Sequence, residues 1–226
     1  MSKELGFRCL SFARLAKAGA LFREAWLIWA FNLSYFLLAN MALPMSFFLL
    51  GKTDAGLFVS AQQLVVALQM FLNYFGIIMA PRLVNWRPAD VAMFRRRVLM
   101  LTGGAAAMGL LFSGGLWLVV DWLYPVLYGE TFADASGLLP VLVLGKFFAV
   151  GTAMFTWALW AEQRDKLPVL CCLPCCLVSG ALYFWLLPIH GNTAAAWLTL
   201  GAESALMLFS GLAFTWAARQ SRLKLA

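Results

Sequence analysis

The sequence predicts an all-α, polytopic membrane protein with six transmembrane helices in one bundle. The composition is 63% hydrophobic and 12% charged, with a mean hydropathy of +0.83, which excludes an ordinary soluble domain. Six apolar runs are each long enough to cross about 30 Å of hydrocarbon as a helix. The connections between them are short, so no soluble domain is expected. The six runs are residues 25–50, 57–80, 98–120, 138–161, 167–189 and 194–218.

Lys and Arg are distributed unevenly along the chain. All but two of the 17 basic residues lie before the first run, in the loops after the second and fourth runs, or after the sixth. Because basic loops stay on the cytoplasmic side, both termini are predicted to be cytoplasmic. The same distribution accounts for the net charge of +7, so a nucleic-acid partner is not expected.

Residues 1–24 mix apolar side chains with five cations and lack the continuous apolar core of a signal peptide. Two interpretations stay open. The segment is either an amphipathic helix on the inner membrane surface, with Lys and Arg reaching toward anionic headgroups, or a basic leader that only sets orientation. Residues 219–226 form a basic cytoplasmic tail.

The first two predicted spans carry side-chain amides. Asn32 and Asn40 lie in the first, and Gln62, Gln69 and Asn73 follow one another in the second at spacings of seven and four. These spacings place the last three on one helix face. The amides either form hydrogen bonds between helices or line a wet cavity, and the sequence leaves both open.

Three prolines mark expected changes in helix geometry. Pro44 lacks an N–H and is expected to loosen the first span near its outer end. Pro81 is expected to end the second span, and Pro88 to open a short surface helix in the cytoplasmic loop that follows.

Small residues recur at four-residue steps on the third and fourth spans. Such stripes let helix backbones approach closely in a membrane, so both are predicted to be packing faces. They are Ala105, Gly109 and Ser113 on the third span, and Gly145, Ala149 and Ala153 on the fourth.

Lys146 and Glu203 are charged residues inside predicted spans. Each costs about 2.5–3.5 kcal/mol at the centre of a bilayer on insertion scales, so each is expected to face protein or water. Their similar depths allow an ion pair between the fourth and sixth spans. The pair either locks the bundle, or Lys146 attracts an anionic headgroup while Glu203 carries H⁺ or Na⁺.

The cysteine cluster CCLPCC is the only candidate metal site. Four thiols at this spacing could bind a soft metal, but the cluster lies in an apolar span without His or acidic partners. We expect these cysteines to act as small hydrophobes and predict no metal or cofactor. The cluster is Cys171, Cys172, Cys175 and Cys176.

No recognisable catalytic set is present, so an enzyme is not expected. The chain lacks HExxH, a phosphate-binding loop and a Ser–His–Asp arrangement. His190 is the single histidine, and its place in the last outer loop favours a solvated residue over a pH switch.

The stretch from Asp121 to Gly145 reads as an outer hairpin that returns the chain to the membrane. Gly129 can adopt a positive φ and so reverse the chain cheaply. Thr131, followed three residues later by Asp134, has the form of a capping box, which predicts a helix start. One face of that helix then holds Phe132, Ala135 and Leu139.

This hairpin resembles the periplasmic turn in the second half of bacterial lipid-linked oligosaccharide flippases. These are the Wzx-type O-antigen exporters of the multidrug/oligosaccharidyl-lipid/polysaccharide (MOP) exporter superfamily. The likeness rests on the letters LYG, followed by Phe132, Ala135 and a Leu-rich helix.

A second stretch, LLPIHGNTAAAW, resembles the entry of that family to its final helix. Pro188, Gly191, Ala195 and Ala196 match, while Ala194 stands where a glycine is usual.

The resemblance implies the C-terminal six-helix lobe of a MOP/MATE-like transporter in the bacterial inner membrane. The implied function is translocation of undecaprenyl-diphosphate-linked oligosaccharide for polysaccharide or O-antigen assembly. The implied partners are membrane lipid, the lipid-linked oligosaccharide, and a missing N-terminal lobe or a second copy. Whether the chain is a fragment or a half-transporter stays open. The alternatives are a cation-coupled multidrug exporter lobe, and a membrane enzyme or scaffold of polysaccharide assembly.

Overall fold

A computed structural model of the protein describes residues 12–86 and 91–223, and within these ranges the chain is helical without β-strands. The all-α expectation is confirmed. The helices are α1 (Phe12–Asn40), α2 (Ala42–Leu49), α3 (Lys52–Trp86), α4 (Val91–Tyr128), a 3₁₀-helix (Glu130–Ala135), α5 (Leu138–Ala161) and α6 (Lys166–Leu223).

Four helices in the described ranges are long and apolar enough to cross a membrane, namely α3, α4, α5 and α6. The bent pair α1 and α2 brings the number to five if the pair is counted as one span. These helices are compatible with a polytopic membrane protein, and the expected number of six stays a prediction.

The helix axis bends by 46° between α1 and α2. Pro44 explains the position of this bend, because it has no N–H to donate to the carbonyl of Asn40 four residues earlier. The regular bonding resumes one residue later, where the N–H of Met45 donates to the Met41 carbonyl at 3.1 Å. The bend agrees with the loosening predicted from Pro44.

The long helix α6 reverses direction at Gly191, whose φ of 61° and ψ of −150° are not helical. The Tyr183 and Thr199 hydroxyls lie 2.7 Å apart. Residues this far apart on a straight helix would be separated by about 24 Å. The arms α6a (residues 166–190) and α6b (residues 192–223) therefore run antiparallel. Asn192 ties the turn to α3 by donating to the Asp54 carbonyl at 2.7 Å.

The predicted end of the second span at Pro81 is wrong. Pro81 lies inside α3, which continues to Trp86. Its ring is exposed, and a proline in a membrane helix is tolerated where neighbouring groups satisfy the freed carbonyl. The helix α1 begins at Phe12 and passes through residue 25 without a break. Pro88, residues 1–11 of the leader and residues 224–226 of the tail lie outside the described residues.

The hairpin before α5 is partly as predicted. Gly129 has a φ of 83°, which confirms its role as the reversal point. The capping box predicted at Thr131 is wrong. Thr131 lies inside the 3₁₀-helix, which has no side-chain cap, and α5 begins only at Leu138. Ser136 instead donates to Asp121 at 3.1 Å. Ala135 is buried, as the predicted face requires.

The helix α5 lies at the centre of the described structure and packs on α3, α4 and α6. A Cβ atom on Gly109 of α4 would overlap Phe147, and Ser113 donates to the Pro140 carbonyl at 2.8 Å. Gly145 approaches the Leu200 backbone on α6b. Both small-residue stripes therefore contain close helix contacts.

Candidate functional site

A cavity of about 560 Å³ lies between α1, α3 and α5. It exists because α1 packs mainly on α6 while α3 packs mainly on α5, which leaves a gap between the two outer helices. Ala149 and Ala153 of the fourth-span stripe line this cavity. These two residues therefore face the cavity and not a neighbouring helix, as the predicted packing face would require.

The sequence analysis singled out seven polar and charged residues inside the predicted spans as candidates for a polar pathway: Asn32, Asn40, Gln62, Gln69, Asn73, Lys146 and Glu203. The structure brings four of them to this cavity. Asn32 of α1, Gln69 and Asn73 of α3, and Lys146 of α5 all line it. Asn32 and Asn73 are exposed, so they mark its mouth between α1 and α3. Gln69 and Asn73 of the polar stripe expected on α3 thus face a space rather than a neighbouring helix, while Gln62 does not.

Lys146 is the only charged side chain that lines the cavity among the described residues. It is 7% exposed, and its neighbours Gly145 and Phe147 are also buried. Lys146 and Glu203, both fully described, do not come within the 4 Å of an ion pair. The ion pair that similar depths allowed is therefore not formed as a direct contact, although Lys146 is near enough to attract the Glu203 carboxylate electrostatically.

Glu203 lies behind the cavity wall rather than in it. Tyr35 stands between, since it lines the cavity and its hydroxyl also donates to Glu203 Oε1 at 3.4 Å. The second oxygen, Oε2, is buried without a hydrogen-bond partner. The sequence predicts similar depths for Lys146 and Glu203, but it does not show that Tyr35 of α1 would be the residue in contact with Glu203.

The other predicted pathway residues lie elsewhere. Asn40 is exposed and donates to the carbonyl of Phe36 in its own helix at 2.9 Å. Gln62 is half-buried nearer the start of α3, and its Oε1 has no hydrogen-bond partner. Neither lines the cavity.

The sequence reading missed the aromatic wall of the cavity. Phe31, Tyr35, Trp157 and Trp160 line it. A Cβ atom on Gly76 would come within 2.6 Å of Trp157, so this glycine allows the indole ring to lie against α3. Tryptophan near the end of a span is usually read as a membrane-interface residue, which concealed this role.

Two polar groups on the cavity wall have no partner in the fold. They are the Thr152 hydroxyl and the Trp160 indole N–H, both buried. A buried donor without an acceptor is costly unless water or a ligand provides one. Together with Lys146 and the amides, these groups give the cavity hydrogen-bond donors, acceptors and one cation against aromatic surfaces.

The cysteine cluster lies away from the cavity. Cys172, Cys175 and Cys176 are buried in an apolar cluster where α1 packs on both arms of α6. Within the described ranges, no group of three His, Cys, Asp or Glu residues is arranged to hold a metal ion. His190 is exposed at the α6 turn.

Searches of protein-family models, curated proteins and solved structures gave no match to this chain.

Proposed function

We propose that this chain is one lobe of a transporter that moves undecaprenyl-diphosphate-linked oligosaccharide across the bacterial inner membrane. One observation carries the proposal: Asn32, Gln69, Asn73 and Lys146, from three different helices, line a single cavity. Polar side chains are costly in hydrocarbon, so their convergence within a bundle of apolar helices favours a pathway for a polar group.

The chemistry of the cavity wall suits such a substrate. An ammonium group forms strong, charge-assisted hydrogen bonds to phosphate oxygens in a low-dielectric site. The amides of Gln69 and Asn73 can donate to and accept from sugar hydroxyls. Trp157 and Trp160 offer flat apolar faces with N–H groups at their edges.

The proposal assumes six spans with both termini in the cytoplasm. The bent pair α1 and α2 would be the first, α3, α4 and α5 the next three, and the arms of α6 the last two. In this arrangement Lys146 lies about 12 Å from the outer end of α5. The aromatic wall then lies toward the cytoplasmic end of the cavity.

A topology measurement tests this arrangement. A reporter that is active only in the periplasm should be active when fused after Glu130 and silent when fused after Ala226. Activity at Ala226 would overturn both the topology and the assignment to a flippase lobe.

The open side of the cavity needs a covering partner, because a single lobe does not enclose a pathway. A second six-helix lobe, either an N-terminal lobe or another copy of this chain, would complete it. Export should therefore be measured in a strain without its own flippase, both with and without a co-expressed N-terminal lobe.

A second candidate is a cation-coupled multidrug exporter lobe. Glu203 favours it, because a buried acid with a free oxygen beside an aromatic-lined cavity also suits a lipophilic cation. Drug susceptibility separates the two functions. Expression that raises resistance to cationic drugs without restoring polysaccharide export would favour the drug exporter. The alternative of an enzyme or scaffold has no particular support in the cavity.

The function is tested most directly at Lys146. Lys146→Ala should abolish polysaccharide export while protein level and membrane insertion persist, and Lys146→Arg should keep part of the activity. If Lys146 only offsets the charge of Glu203, the single change should instead lower the protein level. The double change Lys146→Ala with Glu203→Ala should then restore level and export. A fully active double variant would contradict a substrate role.

A further inference from the structure

We propose that the start of α4 carries a binding site for an anionic membrane phospholipid, in which Arg95 and Arg96 hold the phosphate. The site is an open cavity of about 450 Å³ on the side of α4, and its other described lining residues are Ala92, Leu99 and Met100. The inference uses the membrane orientation of the proposed function. It concerns a different cavity, however, and does not need transport.

Helical spacing places the lining residues of this site on one side of α4. Leu99 follows Arg95 by four residues and Met100 follows Arg96 by four, so each arginine has an apolar side chain one turn further along the helix. That turn is about 6 Å along the helix axis. Both apolar side chains are exposed. The site therefore has a cationic end and an apolar end.

The fold does not neutralise the two cations of this site. Arg96 is exposed, and Arg95 is half-buried with its Nε buried and without a hydrogen-bond partner. Within the described ranges, neither guanidinium group forms a hydrogen bond or an ion pair, and no carboxylate lines the cavity. Arg164 differs, because it donates to Gln220 at 3.2 Å. The acceptor for Arg95 and Arg96 must therefore come from water or from a bound anion.

The depth of the arginines in the membrane favours a lipid as the source of that anion. They lie two and three residues before the predicted span at 98–120, which is about 3–4.5 Å outside the hydrocarbon. The headgroup layer on each side of a bilayer is about 5–7 Å thick, so both arginines lie within it. Leu99 and Met100 lie just inside the hydrocarbon, where the acyl chains of the same lipid would contact them.

The charge of the site selects the class of lipid. A guanidinium group matches phosphate oxygens with two parallel N–H donors, and basic sites on the cytoplasmic side of membrane proteins bind anionic headgroups. Two cations without a carboxylate favour a headgroup whose phosphate has no cationic group beside it, because such a group would repel them. Phosphatidylglycerol meets this condition, whereas phosphatidylcholine does not.

Lipid binding to the full chain in detergent tests the site, with native mass spectrometry as the measurement. The parent chain should bind its first molecule of phosphatidylglycerol more tightly than phosphatidylcholine. An arginine near an anionic headgroup contributes about fivefold in affinity, so the double change Arg95→Gln with Arg96→Gln should weaken phosphatidylglycerol binding about thirtyfold. Binding of phosphatidylcholine should change by less than about twofold.

The matched pair of variants is Arg96→Gln and Arg82→Gln. Both arginines are exposed on the same predicted side of the membrane, but Arg82 does not line the cavity. Arg96→Gln should weaken phosphatidylglycerol binding about fivefold and Arg82→Gln less than about twofold, with the melting temperature of the parent chain in both. This pair decides the result if the double variant does not fold. Equal affinity in the two variants would overturn the site, because the charge of the whole surface would then attract the lipid.

An excess of inorganic phosphate separates a lipid site from a site for any small anion. It should not displace phosphatidylglycerol from the parent chain, because inorganic phosphate has no acyl chains to contact Leu99 and Met100. Displacement would overturn the lipid as the occupant. A parent chain without a preference for phosphatidylglycerol would also overturn the proposal, and the two arginines would then face water or an acidic protein segment.

Export measured in parallel separates this inference from the proposed function. A preference for phosphatidylglycerol without export keeps the lipid site and removes the flippase assignment. Export without such a preference keeps the flippase assignment and overturns the lipid site.

Discussion

Two neighbouring helices, α5 and α3, have similar composition but opposite surroundings. Their most apolar 18-residue windows have mean hydropathies of 1.9 and 1.8, yet 72% of the α5 window and only 12% of the α3 window is buried inside the protein. Composition therefore does not distinguish the central helix of the bundle from a peripheral one. The difference lies in the small residues around α5 and in the amides along α3.

A large effect on stability should come from truncating a buried leucine on α5. Leu159 is fully buried, so Leu159→Ala should lower the free energy of unfolding by about 2 kcal/mol. This value lies at the low end of the range for buried leucines in soluble proteins, because lipid removes the hydrophobic contribution and leaves the loss of packing. Thermal unfolding in detergent measures the change.

The matched control is Ile78→Ala on α3, where the side chain is 54% exposed. It should change the free energy of unfolding by less than about 0.5 kcal/mol. Equal losses at the two positions would show that α3 is as well packed as α5.

The contact of α5 with α4 should be sensitive to a single methyl group. A Cβ atom on Gly109 would overlap Phe147, so Gly109→Ala should cost about 1–3 kcal/mol by overpacking. Gly104, on the same helix, has no atom within 4 Å of such a Cβ. Gly104→Ala should be neutral or stabilise the helix by up to about 1 kcal/mol. A melting temperature that is unchanged in both variants would contradict the close packing.

The hydrogen bond across α6 should have a smaller effect. Tyr183→Phe removes the bond to Thr199 and should cost about 0.6–2 kcal/mol. Tyr74→Phe is the control, because Tyr74 is 68% exposed on α3. If both variants unfold at the same detergent concentration as the parent chain, the two arms of α6 are held together by packing alone.

The smallest stability effect is expected from the polar stripe. Gln69→Leu should change the free energy of unfolding by less than about 0.5 kcal/mol, because Gln69 faces the cavity and not a neighbouring helix. Export, in contrast, should fall. If Gln69→Leu caused a large loss of stability with normal export, the polar stripe would be a structural element. The helix α3 would then contribute to packing as α5 does.

Much of this fold follows from local rules that can be read in the sequence. Gly129 and Gly191 reverse the chain where the pattern placed them, and Pro44 lies next to the bend between α1 and α2. The helix ends near Pro81 and Thr131 were not predictable in the same way. Tertiary contacts and the tolerance of membrane helices for proline decide them, and neither is visible in a short segment.

The site was predictable to a different extent. The cost of placing polar groups in hydrocarbon identified Lys146, Gln69 and Asn73, which do line one cavity. The missed residues, Tyr35 and Trp160, belong to types that occur on any membrane helix. Tyr35 lies between the cavity and Glu203 only because α1 packs on α6. This position cannot be predicted from the spacing of residues along the chain.

The hydrogen bond from Tyr35 to Glu203 has a consequence for biosynthesis. Glu203 lies in α6b, which is synthesised after α1, the helix that carries its hydrogen-bond partner Tyr35. In the proposed topology an acid that enters hydrocarbon alone costs about 2.5–3.5 kcal/mol, so α6b gains from arriving after α1 and α5 are already in place. A delay or error in placing α1 would then act on a helix far along the chain, as incomplete insertion of α6b.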